Sequence, residues 1–302
     1  MPAHLQNKYT AEKNDLTPEV LANLAWLGID YLIPIGCDDT LSYGVRLYEG
    51  GFKVIVIPKT MDNDVPGTDY CIGFSTCVTR TIQITNSLRT SAGSHERLLV
   101  MEVFDRYAGF TAMLPTMAGA ANSCVIPEHQ FDIERLAELM CTDPRRKNPS
   151  RYSVVLVSEG AMFKGGEMVF TDETTDADGH KKLGGIGDLV SEKLKEFSPK
   201  YNDGKAVDTI NQKLGYLVRG SDPDAIDSIV PWSKATWGWT CCCTASTAAW
   251  WYSTTAATTT CPIDCVTGNK NVVNFGAHYN TERLRPFYKN FHMRPLFIMT
   301  SE

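Results

Sequence analysis

Residues 54–64 read Val-Ile-Val-Ile-Pro-Lys-Thr-Met-Asp-Asn-Asp, so a lysine and two carboxylates directly follow an apolar strand. Upstream, the apolar stretch 31–35 leads in the same way into Gly36-Cys37-Asp38-Asp39-Thr40, a small-residue turn before a helical stretch. Open α/β sheets bind ligands outside the carboxyl ends of parallel strands, near helix N-termini that attract anions. Two acidic strand ends side by side therefore predict a site for metal-bound phosphate.

A carboxylate in such a place repels bare phosphate, but it is useful in two ways. It can hold Mg²⁺, which binds carboxylate and phosphate oxygens together, or it can accept a proton from an attacking hydroxyl. Taken alone, Asp62-Asn63-Asp64 is also typical of a turn, and residues 36–40 are also typical of a helix N-cap. Both structural interpretations stay open on these two segments.

The wider pattern alternates apolar strands with helical stretches, and that alternation predicts a parallel sheet with crossover helices. A polar, acidic loop is predicted over 171–182. Gly184-Gly185-Ile186-Gly187 indicates a loop and a helix entry and not a nucleotide fingerprint, because no strand directly precedes it. The predicted elements are helix 17–27, strand 31–35, helix 40–49, strand 54–57, helix 75–91, strand 98–103, helix 109–120 and strand 152–157.

Composition limits the function classes. With 302 residues, 43% of them hydrophobic, the chain can bury a large core in one or two domains, and a net charge of −6 argues against a nucleic-acid partner. The cysteines between positions 37 and 141 show no Cys-x-x-Cys spacing and no secretory leader precedes them, so we expect reduced thiols in a cytoplasmic protein. Residues 232–261, rich in Trp and Thr, are a poor membrane span, and we expect no membrane partner.

Further motifs make the chain resemble the phosphofructokinase family. They occur in the family's order, cover roughly positions 20–230, and are far more specific together than one acidic turn. The motifs, besides the two acidic strand ends, are Ser94-His95-Glu96-Arg97, Glu102-Val103-Phe104-Asp105-Arg106-Tyr107-Ala108-Gly109, Ser158-Glu159-Gly160 and Leu214-Gly215-Tyr216-Leu217-Val218-Arg219-Gly220.

The resemblance implies an α/β fold of two Rossmann-like lobes with mostly parallel sheets. The phosphoryl-donor lobe is expected to comprise residues 1–73 and about 218–280, and the sugar-phosphate lobe residues 74–217 and about 281–302. The family begins with a strand and a Gly-Gly turn upstream of the strand at Tyr31. Nothing here matches either, so we expect this chain to lack the N-terminal strand and glycine loop.

The resemblance also implies a reaction, the transfer of a phosphoryl group to the 1-hydroxyl of fructose 6-phosphate. By motif, Asp62 is similar to the general base, Arg106 to the arginine that stabilises charge on the phosphoryl group in flight, and Thr60 to the residue that orients that group. Asp64 and Asp38 resemble the partners of Mg²⁺, Asp38 through water.

At the sugar end, Phe104, Glu159, Tyr216 and Arg219 resemble positions that hold the fructose hydroxyls and the 6-phosphate. The family arginine that matches Arg97 reaches into a neighbouring subunit's site. The resemblance therefore implies a homo-oligomer, a dimer or tetramer, with shared active sites.

The donor site is assigned by resemblance to Gly36, Asp39, Thr40 and Lys59. ATP-using bacterial members usually carry glycine at the position of Asp39, where the backbone approaches the nucleotide, and they tend to carry glycine at Lys59. Asp39 with Lys59 thus resembles the branch that uses inorganic pyrophosphate as donor, in a reversible reaction. The alternatives are an ATP-dependent enzyme and a non-catalytic, sugar-phosphate-binding regulatory subunit.

Some positions depart from the family pattern. Cys37, Asp105 and Ser221 stand where glycine is common, and we expect the carboxylate of Asp105 to pair with Arg106 and weaken its role. Residues 232–261 follow neither a helical period nor the alternation of a strand, although the family has a helix and a hairpin there.

Overall fold

The computed structural model describes residues 15–143, 150–175, 181–243, 249–254, 257–263, 265 and 270–287. Its strands are β1 (Ile35–Gly36), β2 (Ile55–Pro58), β3 (Leu98–Val103), β4 (Ser123–Val125), β5 (Ser153–Ser158), β6 (Phe170–Thr175), β7 (Lys181–Leu183), β8 (Thr209–Lys213), β9 (Ala249–Thr254), β10 (Ala257–Pro262), β11 (Tyr279–Asn280) and β12 (Arg285–Pro286). Its helices are α1 (Thr17–Trp26), α2 (Asp38–Glu49), α3 (Phe74–Ser94), α4 (Phe110–Met117), α5 (Ile133–Thr142), α6 (Ile186–Phe197), α7 (Ala225–Cys243) and α8 (Phe275–His278). The α/β fold with parallel sheets is confirmed.

The first sheet has the strand order β1-β2-β9-β10. Its first three strands are parallel, with Ile35 opposite Ile57 and Gly36 opposite Pro58, and β10 runs antiparallel to β9. Strand β1 is shorter than the predicted strand 31–35 because Pro34 has no N–H to donate to the ladder. Because β1 and β2 are parallel neighbours, their acidic carboxyl ends finish at one edge of the sheet, as predicted.

The second sheet has the strand order β4-β5-β3-β8, and all its pairs are parallel. Every residue of β3 and β5 is buried, as expected for a parallel sheet covered on both faces by helices. Helices α3, α4, α5 and α6 pack on its strands. The boundaries observed for β3 match the prediction, and those of β5 differ from it by one residue.

Helix α7 connects the two sheets, because it contacts β2 and β9 of the first and helix α3 of the second. The carboxylate of Asp227 accepts hydrogen bonds from the backbone N–H groups of Gly73 at 2.7 Å and Thr76 at 2.8 Å, which open helix α3. It also accepts from the Tyr70 hydroxyl at 2.5 Å. One buried side chain of α7 therefore closes the N-terminus of the long helix beneath the second sheet.

The glycine-rich stretch 184–187 enters helix α6, as predicted. Gly185 has φ 91° and lies at the N-cap, and the buried carboxylate of Glu102 accepts the N–H of Gly187 at 2.8 Å. The predicted loop over 171–182 is wrong. Strands β6 and β7 form an antiparallel pair there, and residues 176–180 lie outside the described residues.

Regular structure also forms within 232–261, although the sequence there shows neither period. Helix α7 continues to Cys243, and β9 and β10 form a hairpin. The helical period was hidden because three tryptophans lie on the outside of α7, with Trp232 77%, Trp237 41% and Trp239 71% exposed. The same helix buries a lysine, Lys234, whose Nζ donates to the carbonyl of Tyr70 at 3.0 Å.

Two separate clusters of buried apolar side chains accompany the two sheets, the larger one around β3 and β5. The lobe boundaries given above stay a prediction, and their residues 1–14 and 288–302 lie outside the described residues. Within the described part of the chain, no helix has the length and apolarity needed to cross a membrane. The free thiols are those of Cys37, Cys71, Cys77, Cys124, Cys141, Cys242 and Cys265.

Candidate active site

The candidate site forms where the carboxyl ends of five parallel strands meet. Asp38 follows β1, Asp62 follows β2, Arg106 follows β3, Glu159 follows β5, and Arg219 follows β8. Such a crevice is where open α/β sheets bind ligands, because the helix N-termini and the strand-end loops face it together. The predicted residues thus arrive from both sheets.

Asn63 fixes the loop that carries Asp62 and Asp64. It is fully buried, with φ 56°, and its Oδ1 accepts the N–H of Cys71 at 2.7 Å while its Nδ2 donates to the carbonyl of Asp69 at 3.0 Å. Asn tolerates the left-handed conformation and bonds the backbone readily. The turn interpretation of Asp-Asn-Asp is therefore correct for Asn63, and the turn sets the direction of the two carboxylates beside it.

Asp62 is half-buried, and its Oδ1 atom is buried with no hydrogen-bond partner among the described residues. Burial first, and then repulsion by Asp64, raise the pKa of Asp62 to about 6, against the opposing pull of Arg219, Lys270 and Arg106. The backbone N–H of Asp62 donates to Oγ1 of Thr60 at 3.3 Å. A carboxylate that titrates near neutrality and lacks a partner can take up and release a proton.

Asp38 and Asp64 converge on one ammonium group. The Nζ atom of Lys270 lies 2.9 Å from Oδ2 of Asp38 and 2.9 Å from Oδ2 of Asp64. Lys270 lowers the pKa of Asp38 against the opposing effect of burial, and the two carboxylates together raise the pKa of Lys270. Two carboxylates predicted to share a metal ion are thus brought together around a cation.

This arrangement fits the predicted Mg²⁺ in its donor chemistry, since Mg²⁺ binds through one or two carboxylates and completes its shell with water and phosphate oxygens. The carboxylate oxygens of Asp38 and Asp64 point to one place, and that place attracts positive charge. Cys37, Asp38 and Asp39 also lie within 4.8 Å of one another, but a thiol is a poor ligand for so hard an ion.

Three of the predicted sugar-binding residues form a single cluster. The guanidinium carbon of Arg219 lies 4.4 Å from the ring centroid of Phe104 and 5.3 Å from that of Tyr216, and the two rings meet edge to face at 6.0 Å. Tyr216 is 80% exposed, so the cluster opens to solvent. An arginine held by aromatic faces keeps its planar fork free for a phosphate.

Glu159 lies between this cluster and Asp62. Burial, followed by repulsion from Asp62, raises the pKa of Glu159 to about 7, and Arg106 and Arg219 oppose the rise. The chain passes very close to itself here, because a Cβ atom on Gly160 would lie 2.0 Å from the carbonyl oxygen of Arg106. Gly160 therefore has to be glycine for the ends of β3 and β5 to meet.

The expected pairing of Asp105 with Arg106 is wrong. The carboxylate of Asp105 is fully buried and turns away, accepting the N–H of Ala112 at 2.9 Å in the first turn of α4 and the hydroxyl of Ser158 at 3.1 Å. Burial raises the pKa of Asp105 well above its usual range. The side chain of Asp105 joins β5 to helix α4. The charge of Arg106 instead lowers the pKa values of Asp62 and Glu159.

The predicted donor residues line the outer rim of the site. Asp39 and Thr40 are exposed in the first turn of α2, and Lys59 is exposed at the end of β2, where its N–H donates to the carbonyl of Gly36 at 2.8 Å. Gly36 packs against Thr40, because a Cβ atom there would lie 2.5 Å from the Cβ of Thr40. These residues surround the N-terminus of α2, which favours an anion.

Arg97 is the predicted site residue that this chain does not bring to the others. It precedes β3, whereas Phe104 follows the same strand. Six residues of β-strand separate the two, which is roughly 20 Å. Arg97 instead lies near Asp208, whose pKa it helps to lower.

Two residues at the site were not predicted, Lys270 and Tyr107. The Nζ of Lys270 lies 4.7 Å from the ring centroid of Tyr107, so the aromatic face and the two carboxylates share one cation. Tyr107 belongs to a recognised motif but was assigned no role. Lys270 lies far along the chain, and no local pattern connects it with strand ends some 200 residues earlier.

Comparison with known proteins agrees with this fold and identifies the family. The sequence profile described as "PFK: Phosphofructokinase" matches residues 4–236, and the chain belongs to the phosphofructokinase family. A pyrophosphate–fructose 6-phosphate 1-phosphotransferase of Streptomyces coelicolor is 40% identical over 206 residues, covering 68% of this chain and 57% of that protein. An ATP-dependent 6-phosphofructokinase of Corynebacterium efficiens is 37% identical over 212 residues, covering 70% and 59%.

Solved structures show the same fold at low sequence identity. A pyrophosphate-dependent phosphofructokinase from Marinobacter aquaeolei has a TM-score of 0.71 at 17% identity, covering 92% of this chain and 70% of that one. Phosphofructokinase from Saccharomyces cerevisiae has a TM-score of 0.67 at 21% identity, covering 85% and 36%. The chain spans less than two thirds of the length of the curated relatives described above.

Proposed function

We propose that this chain transfers a phosphoryl group from inorganic pyrophosphate to the 1-hydroxyl of fructose 6-phosphate, reversibly and with Mg²⁺. The observation that carries the proposal is Asp62, a carboxylate with a raised pKa and an unpartnered oxygen. It lies among an arginine cluster suited to a sugar phosphate and an acidic pair suited to a metal ion. Relatives named for fructose 6-phosphate phosphorylation support the same reaction.

In the forward direction, Asp62 takes the proton from the sugar 1-hydroxyl as that oxygen attacks the phosphoryl group. In reverse, the protonated carboxyl group returns the proton to the same oxygen. A pKa of about 6 suits both directions near neutrality, because neither protonation state is rare there. Thr60 fixes the backbone of Asp62 through its hydroxyl and faces the same loop.

Charge stabilisation is assigned to Arg106 and sugar recognition to the cluster of Phe104, Tyr216 and Arg219, with Glu159 accepting a sugar hydroxyl. Phosphoryl transfer depends chiefly on positioning and on neutralising the phosphoryl oxygens. Asp38 and Asp64 would hold Mg²⁺, which supplies positive charge to the phosphate oxygens when bound. Arg106 lowers the pKa of both Asp62 and Glu159, which supports its place between them.

The choice of pyrophosphate rests on Asp39 and Lys59 at the rim. A carboxylate in the first turn of α2 repels the α-phosphate of a nucleotide, whereas the ammonium of Lys59 attracts a compact anion. Both side chains are exposed at the rim, which supports the donor role assigned to them. We further propose a cytoplasmic homo-oligomer in which Arg97 completes the site of a neighbouring subunit.

The test is the formation of fructose 1,6-bisphosphate from fructose 6-phosphate and Mg²⁺, with pyrophosphate and ATP compared on one preparation. Turnover with pyrophosphate alone is expected. Turnover with ATP alone would contradict the donor while keeping the family reaction. No turnover with either donor, in a preparation that binds fructose 6-phosphate, would favour a non-catalytic binding protein.

A further inference from the structure

The ammonium of Lys270 lies where two acidic side chains of the candidate active site converge. Its distances to Oδ2 of Asp38 and Oδ2 of Asp64 are both 2.9 Å. The two carboxylates come from the ends of neighbouring parallel strands, whereas Lys270 comes from a segment near the C-terminal end of the described residues. Neither the motifs nor the family match over residues 4–236 includes it.

The segment that carries Lys270 is anchored directly after this contact. The N–H of Asn271 donates to the carbonyl of Asp64 at 2.8 Å, and its Nδ2 donates to the carbonyl of Asn63 at 3.1 Å. Two residues further on, the N–H of Val273 donates to Oε1 of Glu128 at 2.8 Å. The lysine stem therefore starts from a fixed backbone, so its place between the carboxylates is built into the fold.

A divalent ion that bridges the two carboxylates competes with this ammonium for the same two oxygens. Mg²⁺ binds carboxylate oxygens at about 2.0–2.1 Å and tolerates little distortion. An ion bound between Oδ2 of Asp38 and Oδ2 of Asp64 would take the position of Nζ, which lies 2.9 Å from both oxygens. Like charges brought so close together repel strongly where water is partly excluded.

The ring of Tyr107 offers the ammonium of Lys270 a second binding position. The lysine side chain is 37% exposed, and Nζ already lies 4.7 Å from the ring centroid of Tyr107, a residue of the loop after β3. The face of an aromatic ring attracts an ammonium group. Movement along that ring would take the charge away from Asp38 and Asp64 and towards the rim.

We propose that Lys270 is an internal counter-ion that neutralises Asp38 and Asp64 in the metal-free protein and is displaced when a divalent cation binds. The proposal rests on the assignment of the metal to these two carboxylates. Lys270 is thus a positioning residue: it keeps two like charges together before the metal arrives and weakens metal binding by competing for the same oxygens. Metal affinity and the position of this lysine are then linked.

The first test measures Mn²⁺ binding, by calorimetry and by the electron paramagnetic resonance of free Mn²⁺, without any substrate. Lys270→Gln should bind Mn²⁺ more tightly than the wild type, by about tenfold or more. Lys270→Arg, which keeps the charge, should stay near the wild type, and Asp64→Asn should lose most of the binding. Lys195→Gln is the matched control, because it removes an exposed lysine paired with Asp208 away from the site.

Equal or weaker Mn²⁺ binding by Lys270→Gln would overturn the proposal, as would the absence of Mn²⁺ binding in both proteins. The outcome is separable from that of the proposed function, because no donor or sugar is present. If the protein shows no turnover but Lys270→Gln binds Mn²⁺ more tightly, only the proposed reaction is contradicted. If the protein turns over but Lys270→Gln binds Mn²⁺ no more tightly than the wild type, only the proposal for Lys270 is contradicted.

The second test uses the wild-type protein and so does not depend on a variant that folds. Trace acetylation with acetic anhydride, read by mass spectrometry, reports how accessible each lysine amine is. Saturating Mg²⁺ should raise the labelling of Lys270 several-fold relative to Lys195. Unchanged or reduced labelling would mean that the metal does not displace the lysine, and the proposal would be wrong.

Discussion

At the scale of single residues, the site concentrates negative charge that does not favour folding. Burial and then a neighbouring carboxylate, Asp64 for Asp62 and Asp62 for Glu159, raise the pKa of Asp62 to about 6 and that of Glu159 to about 7. Above those pH values the ionised groups destabilise the folded chain, because the same groups ionise more easily when unfolded. Such cost is typical of sites where activity and stability conflict.

Asp62→Asn should therefore separate activity from stability. We expect the forward kcat to fall about 10²–10⁴-fold with affinity for fructose 6-phosphate kept, because a general base is lost. At pH 8 the free energy of unfolding should rise, by up to about 3 kcal/mol, because a buried carboxylate is removed. The gain should shrink as the pH falls below about 6 and vanish well below the ordinary pKa of 3.8, where Asp62 is protonated in both states.

Urea unfolding at several pH values and steady-state kinetics measure the two effects. Asp222→Asn, at an exposed position, serves as the control. A variant that keeps wild-type turnover, or that is less stable than the wild type at pH 8, would contradict the role given to Asp62.

The pH dependence of turnover should reflect the same group. In the proposed mechanism the forward reaction requires ionised Asp62, so its kcat should fall about tenfold per pH unit below about pH 6. The reverse reaction requires the protonated form and should decline above that value. Profiles recorded in both directions check this, with Glu159→Gln as the comparison. If the fall in kcat at low pH disappears in Glu159→Gln, the titrating group is Glu159 and not Asp62.

Asp39 is the exposed side chain on which the proposed preference for pyrophosphate over ATP chiefly depends. Asp39→Gly should raise kcat/KM for ATP relative to pyrophosphate by about tenfold, because one like charge is removed near the α-phosphate. Glycine in the first turn costs about 1 kcal/mol at most, so folding should persist. Glu49→Gly, at the other end of helix α2, is the matched control. An unchanged donor ratio would remove Asp39 as the determinant.

At the scale of elements, the sequence was sufficient wherever a local rule determines the geometry. Asp38 and Asp64 were expected to meet because parallel strands end at one edge, and they lie on either side of a single ammonium. Lys270 was missed, because its contact depends on a chain segment packed from far away. The helical period of α7 is hidden for a similar reason, because Trp232 and Trp239 face outward while Lys234 is buried.

Asp105 shows the limit of reasoning by neighbours in sequence. Its proximity to Arg106 along the chain suggested an ion pair, yet successive residues after a strand point in different directions. Its carboxylate instead accepts hydrogen bonds from backbone N–H groups at the start of α4. The N-terminus of a helix favours a negative charge. Tertiary packing, absent from the local pattern, decided the outcome.

The N-terminus of helix α3 is capped by Asp227, a residue of helix α7. Asp227→Ala should lower the free energy of unfolding by about 2–4 kcal/mol, because the N–H groups of Gly73 and Thr76 and the hydroxyl of Tyr70 lose a buried acceptor. Denaturant unfolding measures the loss. Asp222, which is exposed just before helix α7, gives the control: Asp222→Ala should change the free energy of unfolding little. An equal loss of stability in the two variants would contradict the capping role of Asp227.

At the scale of the whole molecule, the two sheets meet at one crevice that gathers every predicted site residue except Arg97. That arginine lies at the opposite end of β3 from Phe104, so a single chain cannot bring it to its own Asp62. Two-fold assemblies place the same patch of both subunits at the interface, and each site can then borrow a residue from its partner. The position of Arg97 in the fold therefore bears directly on the proposed oligomer.

Complementation between two inactive variants tests this arrangement. Asp62→Asn and Arg97→Ala should each be nearly inactive alone. Co-expressed in equal amounts, they should recover about one quarter of the wild-type turnover per chain in a dimer, because half the dimers are mixed and one of their two sites is intact. Turnover of the co-purified mixture measures it, with Asp62→Asn co-expressed with Asp62→Ser as the control that restores nothing. If the Asp62 and Arg97 variants together stay inactive while mass spectrometry shows mixed assemblies, Arg97 does not act across subunits.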